Sequence, residues 1–230
     1  MNSSLKYKEQ NRIHRRENAL KNQAKIRLEV SKHYGHKCAC CGESNINFLT
    51  IHHINGRNKD CKEDKYSGVH GWRWLKENNY PPGYQLLCWN CNCSLKNHKK
   101  EFCPVHHPEI YNFSLPPKKS HYFRFQQVGF QRRRNEVIMH YGNKCNCCDE
   151  KRKDFLTIDH IEQPHKVGIH LYGERLYRYI IRNNFPEGFQ VLCWNCNCLK
   201  GKLNVKLCYV HHPELYTIKP ETILEKEDVI

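Results

Sequence analysis

FQVLCWNCNCLK, residues 189–200, and YQLLCWNCNCSL, residues 84–95, are one segment written twice, and their reading decides the fold. Each holds a Cys-x2-Cys pair, Cys193/Cys196 and Cys88/Cys91, and each has a matching pair upstream, Cys145/Cys148 and Cys38/Cys41. A Cys-x2-Cys turn aims two sulfurs at one point, and four thiolates complete tetrahedral zinc with no open position, so such a site is structural. A redox reading would need a single pair on a βαβ unit.

The repetition extends in both directions. Tyr34-Gly35 to Tyr111 returns as Tyr141-Gly142 to Tyr216, and VHHPE stands at 105–109 and 210–214. The offset is 107 residues up to the first histidine cluster and 105 from Trp72/Tyr177 onward, which places the length change in a loop. The expected organisation is a basic N-terminal arm (1–30), repeat one (31–112), a basic linker (113–135), repeat two (136–218) and an acidic tail (219–230). The linker carries Pro116-Pro117, six basic residues, no acidic ones and five aromatics, and reads as a segment that lies along a partner.

Within each repeat the plan is the same. A basic helix carries Ile26, Val30 and Tyr34, or Val137 and Tyr141; a cysteine turn follows; then a β-like run, Phe48–Ile51 or Phe155–Ile158, ends at His53 or His160. A second helix has its apolar stripe on Trp72 and Leu75, or on Leu176, Tyr177, Ile180 and Ile181, and stops at Pro81 or Pro186. Removing the four Cys-x2-Cys pairs leaves Cys40, Cys93, Cys103 and His106 in repeat one, matched by Cys147, Cys198, Cys208 and His211 in repeat two. Three thiolates and an imidazole would hold a second zinc, with His107 and His212 as adjacent alternatives; packed thiols beside surface histidines are the competing reading. Cys61 alone is left over.

Composition agrees with small, stapled cores. Only 39% of the 230 residues are hydrophobic, and the mean hydropathy is −0.84. Units of about 80 residues commonly need such staples, because burial barely offsets chain entropy. Thirty-eight Lys and Arg against 23 acidic residues give a formal charge of +15, which points to nucleic acid as the partner rather than a small molecule. No apolar run approaches the roughly 18 residues that span a bilayer, and the N-terminal stretch lacks an apolar signal segment. The expected setting is therefore intracellular and reducing (cytoplasm, nucleus, organelle matrix or a virus-infected cell), where thiols stay reduced and metal explains the 15 Cys and 16 His better than disulfides do. Ten basic and three acidic residues among the first 37 leave an organelle transit segment open.

The string Thr157-Ile158-Asp159-His160, followed some thirty residues later by Cys193-Trp194-Asn195-Cys196-Asn197-Cys198-Leu199-Lys200, resembles the HNH endonuclease family. Each copy is similar to small zinc-bound HNH proteins of phage-like genomes, which have a basic helix, a CxCC turn, FLTIDH, a (F/Y)PxG(F/Y)QVLC segment and a CNC ending. The likeness covers both repeats, about 155 residues. It implies an α+β fold of tandem zinc-stabilised ββα-metal domains and a metal-dependent endonuclease acting on nucleic acid, DNA before RNA.

The resemblance also implies site residues. In repeat two, Asp159 and Asn197 would offer oxygen ligands to a catalytic Mg²⁺, His160 would take a proton from the attacking water, and Lys200 would contact phosphate. Repeat one keeps His53 and Asn92, but His52 stands where repeat two has Asp159, and Leu95 where it has Lys200, with Lys96 one step on. Repeat two is therefore the expected active site. Both copies place Gly83 or Gly188 where many family members have the middle asparagine that braces the loop. The alternative is a non-catalytic zinc protein that binds nucleic acid, such as a subunit of a ribosome or polymerase. The runs His14-Arg15-Arg16, Lys99-Lys100 and Arg132-Arg133-Arg134 read as phosphate contacts, and the pairs Trp72/Trp74 and Tyr177/Tyr179 as core.

Overall fold

A computed structural model describes residues 3–54, 56, 68–95, 101–111, 121–162, 171–203 and 207–215. Cys61, Lys96, Lys99-Lys100, Pro116-Pro117 and the acidic tail lie outside the described residues. The fold is mixed α and β, with small two-stranded sheets. Its elements are α1 (Ser3–His33), β1 (Leu49–His53), α2 (Val69–Glu77), β2 (Tyr84–Cys88), α3 (Trp89–Ser94), α4 (His121–His140), β3 (Leu156–His160), α5 (Glu174–Arg182), β4 (Phe189–Cys193) and α6 (Trp194–Leu203). The chain forms two compact units: one contains α1, β1, α2 and most of β2, and the other contains α3, α4, β3, α5, β4 and α6.

In the first unit, α1 runs for 31 residues through a stretch free of Gly and Pro, taking in the basic arm. It stops at Tyr34-Gly35: Gly35 turns at φ 90, and the His36 N–H bonds back to the Ser31 carbonyl at 2.7 Å, closing the last turn. Val30 and Ser31 are fully buried near this end, and α1 packs on α2. Arg27 donates to the Leu49 carbonyl at 2.5 Å and lies 5.2 Å from the Trp72 ring, tying the helix to the start of β1. Tyr34 donates to the Pro81 carbonyl at 2.8 Å, and burial pushes its phenol up to about 12.

The second unit repeats these devices. α4 begins at His121, inside the stretch read as linker, and ends at His140, where the Asn143 N–H reaches the Ile138 carbonyl at 2.9 Å. Arg134, the counterpart of Arg27, donates to the carbonyls of Lys153 and Leu156 at 2.5 and 2.6 Å. Arg133 pairs with Glu174 at 2.5 Å. Two members of the Arg132–Arg134 run are thus engaged by partners within the protein, because α4 turns that face toward α5 and β3. Strands β3 and β4 are antiparallel, with Leu156 opposite Cys193, Asp159 opposite Gln190 and His160 opposite Phe189. α6 follows β4 without a break and packs on both strands.

The aromatic and aliphatic stripes behave as core. Trp72 and Leu75 are buried on α2, and Leu176, Tyr177 and Ile180 on α5, whereas Ile181, Trp74 and Tyr179 are half-buried. Among the described residues no helix is long and apolar enough to cross a membrane.

Candidate metal centres and the strand-end site

Each cysteine turn is built by backbone bonds before any metal is considered. The Cys145 N–H donates to the Glu150 carbonyl at 2.9 Å and the Asp149 N–H to the Cys145 carbonyl at 3.0 Å, folding Cys145–Cys148 into a knuckle. Asn146 then donates to the Val191 carbonyl at 2.9 Å, docking the knuckle on β4. In the other repeat Cys38, Gly42 and Ala39 make the same three bonds, to Glu43, Cys38 and Leu86.

These turns gather ligand atoms. Cys145, Cys148, Cys193 and Cys196 form one group and Cys147, Cys196, Cys208 and His211 another, the ligand atoms of each lying within 4.8 Å of one another. Repeat one has the groups Cys38, Cys41, Cys88, Cys91 and Cys40, Cys91, Cys103, His106. The spacings suit zinc. Bonds of about 2.3 Å at tetrahedral angles put thiolate sulfurs roughly 3.7 Å apart, and Cys148 and Cys193 stand at 3.7 Å, Cys147 and Cys208 at 3.3 Å. All 14 described cysteines are free thiols.

The geometry also decides between neighbouring histidines. His211 Nδ1 lies 3.1 Å from Cys208 and 3.5 Å from Cys196, and His106 Nδ1 lies 3.1 Å from Cys103 and 3.4 Å from Cys91. His107 and His212 turn instead to Glu109 and Glu214, at 3.2 and 3.3 Å. One expectation needs correction: the second group contains Cys91 or Cys196 where residue counting gave Cys93 or Cys198. Two residues on a helix of 3.6 per turn are about 200° apart, so Cys91 or Cys196 and its i+2 neighbour point to different sides of the helix.

Crowding perturbs these groups in opposite directions. Hydrogen bonds from Cys148, Cys193 and Cys196 hold the Cys145 thiol far below its ordinary value, while Cys196 is pushed up by Cys145 and its other neighbours. The sulfurs of Cys147 and Cys208 raise His211 to about 10. Clustered thiolates demand a cation, and a zinc ion would deprotonate the whole set.

At the end of β3 the structure brings Asp159, His160 and Lys200 together. Lys200 Nζ lies 2.5 Å from Asp159 Oδ2 and also donates to the His160 carbonyl; Gln190 Nε2 donates to the same Oδ2 at 3.0 Å. Lys200 and Asp159 are only 9% and 13% exposed in their side chains. Burial pushes the Asp159 carboxyl above its ordinary value, against the opposing pull of Lys200 and Gln190. Lys200 therefore faces inward, and its role as an outward phosphate contact is not what this geometry displays. The His160 ring is buried, 5.0 Å from Phe189 and 6.3 Å from Tyr172. Asn197 is half-buried on α6, three residues before Lys200 and so on the same face.

The Gly188 position has a structural answer. Gly188 sits at φ +95, and its carbonyl accepts from Ile161 at 2.9 Å, one residue beyond His160; Gly83, at φ +94, accepts from Ile54 in the same way. A backbone bond thus ties the loop to the residue that follows the strand. In repeat one, His52, His53 and Asn92 are half-buried, His53 lies 4.8 Å from Tyr84, and Leu95 is buried where repeat two has the ammonium.

No family model matches the chain, and neither does any curated protein or solved structure. Residues that sequence reasoning missed are Gln190 and Arg27, and for Arg134 it missed the carbonyl partners. The shared 107-residue offset of the two arginines is the signal that could have found them.

Proposed function

We propose that the chain is a zinc-stapled, HNH-type endonuclease that binds and cleaves nucleic acid, DNA before RNA, with its active site in repeat two. The observation that carries this reading is the cation already held at the end of β3. The Lys200 ammonium rests on a carboxylate oxygen of Asp159 and the main-chain oxygen of His160. Oxygen donors of that kind suit Mg²⁺. Asp159 and Asn197 would hold the ion once Lys200 swings away, and it would supply charge neutralisation at the scissile phosphate. His160, fixed at the strand end by the Ile161–Gly188 bond, takes the proton of the attacking water. The displaced Lys200 then turns to phosphate, and the surplus of basic residues holds the strand.

The same ion pair favours a second reading. If Lys200 stays on Asp159, the carboxylate is already neutralised and the module binds nucleic acid without cutting it. Nicking of supercoiled plasmid in Mg²⁺ or Mn²⁺ separates the two. Under the first reading the native chain nicks, His160→Ala abolishes nicking, and His160→Ala still shifts DNA in a gel. A native chain that binds with steep salt dependence yet never nicks in either metal establishes the second reading. Binding lost together with cutting removes the catalytic assignment of His160.

A further inference from the structure

Cys196 belongs to both ligand groups of repeat two, and Cys91 to both groups of repeat one. We infer that each repeat holds a binuclear zinc centre in which this one thiolate bridges the two ions. In repeat two, Cys145, Cys148 and Cys193 complete the coordination of one ion; Cys147, Cys208 and His211 complete that of the other.

Three observations carry the bridge. First, Cys196 is fully buried on the first turn of α6, immediately after β4 delivers Cys193, so its sulfur is fixed between the knuckle and the Cys208–His211 turn. Second, its sulfur stands 3.5 Å from His211 Nδ1 and lies within 4.8 Å of the ligand atoms of Cys145, Cys148 and Cys193 on one side and of Cys147, Cys208 and His211 on the other. Third, the alternating order in the knuckle follows from this. Cys145 and Cys148 face one ion, and Cys147 turns to Cys208 at 3.3 Å on the other side. With zinc–sulfur bonds of about 2.3 Å, two ions sharing one sulfur lie within roughly 4.6 Å of each other.

Sharing has a chemical reason. Two separate four-ligand sites would collect seven thiolates around two dications, whereas the bridged centre needs six, with one imidazole. The buried anionic charge falls by one, and Cys198 is released from coordination. The inference stands apart from the nuclease reading, since it concerns the staple and not the strand-end site.

Metal counting on the zinc-loaded full chain, after passage over a chelating resin, tests it. The native chain should retain four zinc ions. Cys198→Ser should also retain four, and Cys196→Ser should lose two. Loss of one ion by Cys198→Ser, or of only one by Cys196→Ser, overturns the bridge. Because Cys196→Ser can unfold repeat two, cadmium NMR on the native chain supplies the second arm. With ¹¹³Cd in place of zinc, the resonances should be linked in pairs by scalar coupling through the shared sulfur. Uncoupled resonances overturn the inference regardless of how the variants fold.

Discussion

Replacing Lys200 by Met keeps the length of the side chain and removes its charge, leaving the Asp159 carboxylate buried with, among the described residues, the Gln190 donor. At 2.5 Å and an effective dielectric of about 20, the attraction lost is roughly 6–7 kcal/mol. Desolvation of the lysine, no longer required, offsets a large part of this. Breaking a buried pair on one side costs about 3–5 kcal/mol, and the surviving Gln190 bond puts Lys200→Met near the lower end. Hydrogen exchange by mass spectrometry on peptides spanning 156–162 and 189–200 reads this locally, without assuming that a zinc protein of two units unfolds in one step. An opening free energy lower by about 3 kcal/mol accelerates exchange roughly a hundredfold. The double variant Asp159→Asn/Lys200→Met should recover most of the loss, since no charge is then left buried. The sign of the pH effect follows. Asp159 already binds its proton more tightly than an ordinary carboxyl does, and without Lys200 it does so more strongly still. The folded variant therefore holds more protons than the unfolded chain, and its deficit should grow as pH rises above the ordinary carboxylate range. A Lys200→Met chain within 1 kcal/mol of native at pH 7, or a double variant no better than the single one, refutes the reasoning.

Other perturbations probe other links. Asn90 and Asn195 are buried, and each side chain accepts the backbone N–H of the other, at 2.9 and 3.0 Å; Ala at either position should cost about 1–3 kcal/mol, and the double variant about the sum, since each change orphans a different backbone N–H. Gly188→Ala should cost about 1–2 kcal/mol through its left-handed backbone alone, because a Cβ there meets nothing within 4 Å; exchange of the Ile161 amide is the readout. The Tyr34 phenol should ionise near 12, in a difference titration in the ultraviolet against Tyr34→Phe. Since the unfolded phenol ionises near 10, its contribution to stability should fall as pH rises between those values.

Much of the architecture was legible in the sequence because it is repeated and because its punctuation is chemical. The strands ending at His53 and His160, the helices stopped by Pro81 and Pro186, and the four Cys-x2-Cys turns all follow from period and spacing. What escaped depends on direction and on distant partners. Counting ligands by four put Cys93 and Cys198 where the ligand groups hold Cys91 and Cys196, because a count carries no angle. The Arg132–Arg134 run read as phosphate contacts, and Glu174 and the carbonyls beside β3 engage two of its members. Lys200 looked outward in one dimension and faces Asp159 in three. Nor could the linker boundary be read, since residues 121–135 lack a helix stop and simply extend α4 upstream.

The Asn90–Asn195 pair has an implication of its own. Both partners are the same residue at the same place in the repeat, and each gives what it receives, so the contact is self-complementary in the way of a twofold dimer seam. A single copy of the WNC sequence specifies both halves of the seam. Carrying the two copies on one polypeptide makes their meeting an event within the molecule, independent of dilution. A change in one copy alone therefore removes one half of the seam, orphaning its twin's backbone N–H, and leaves the other half in place.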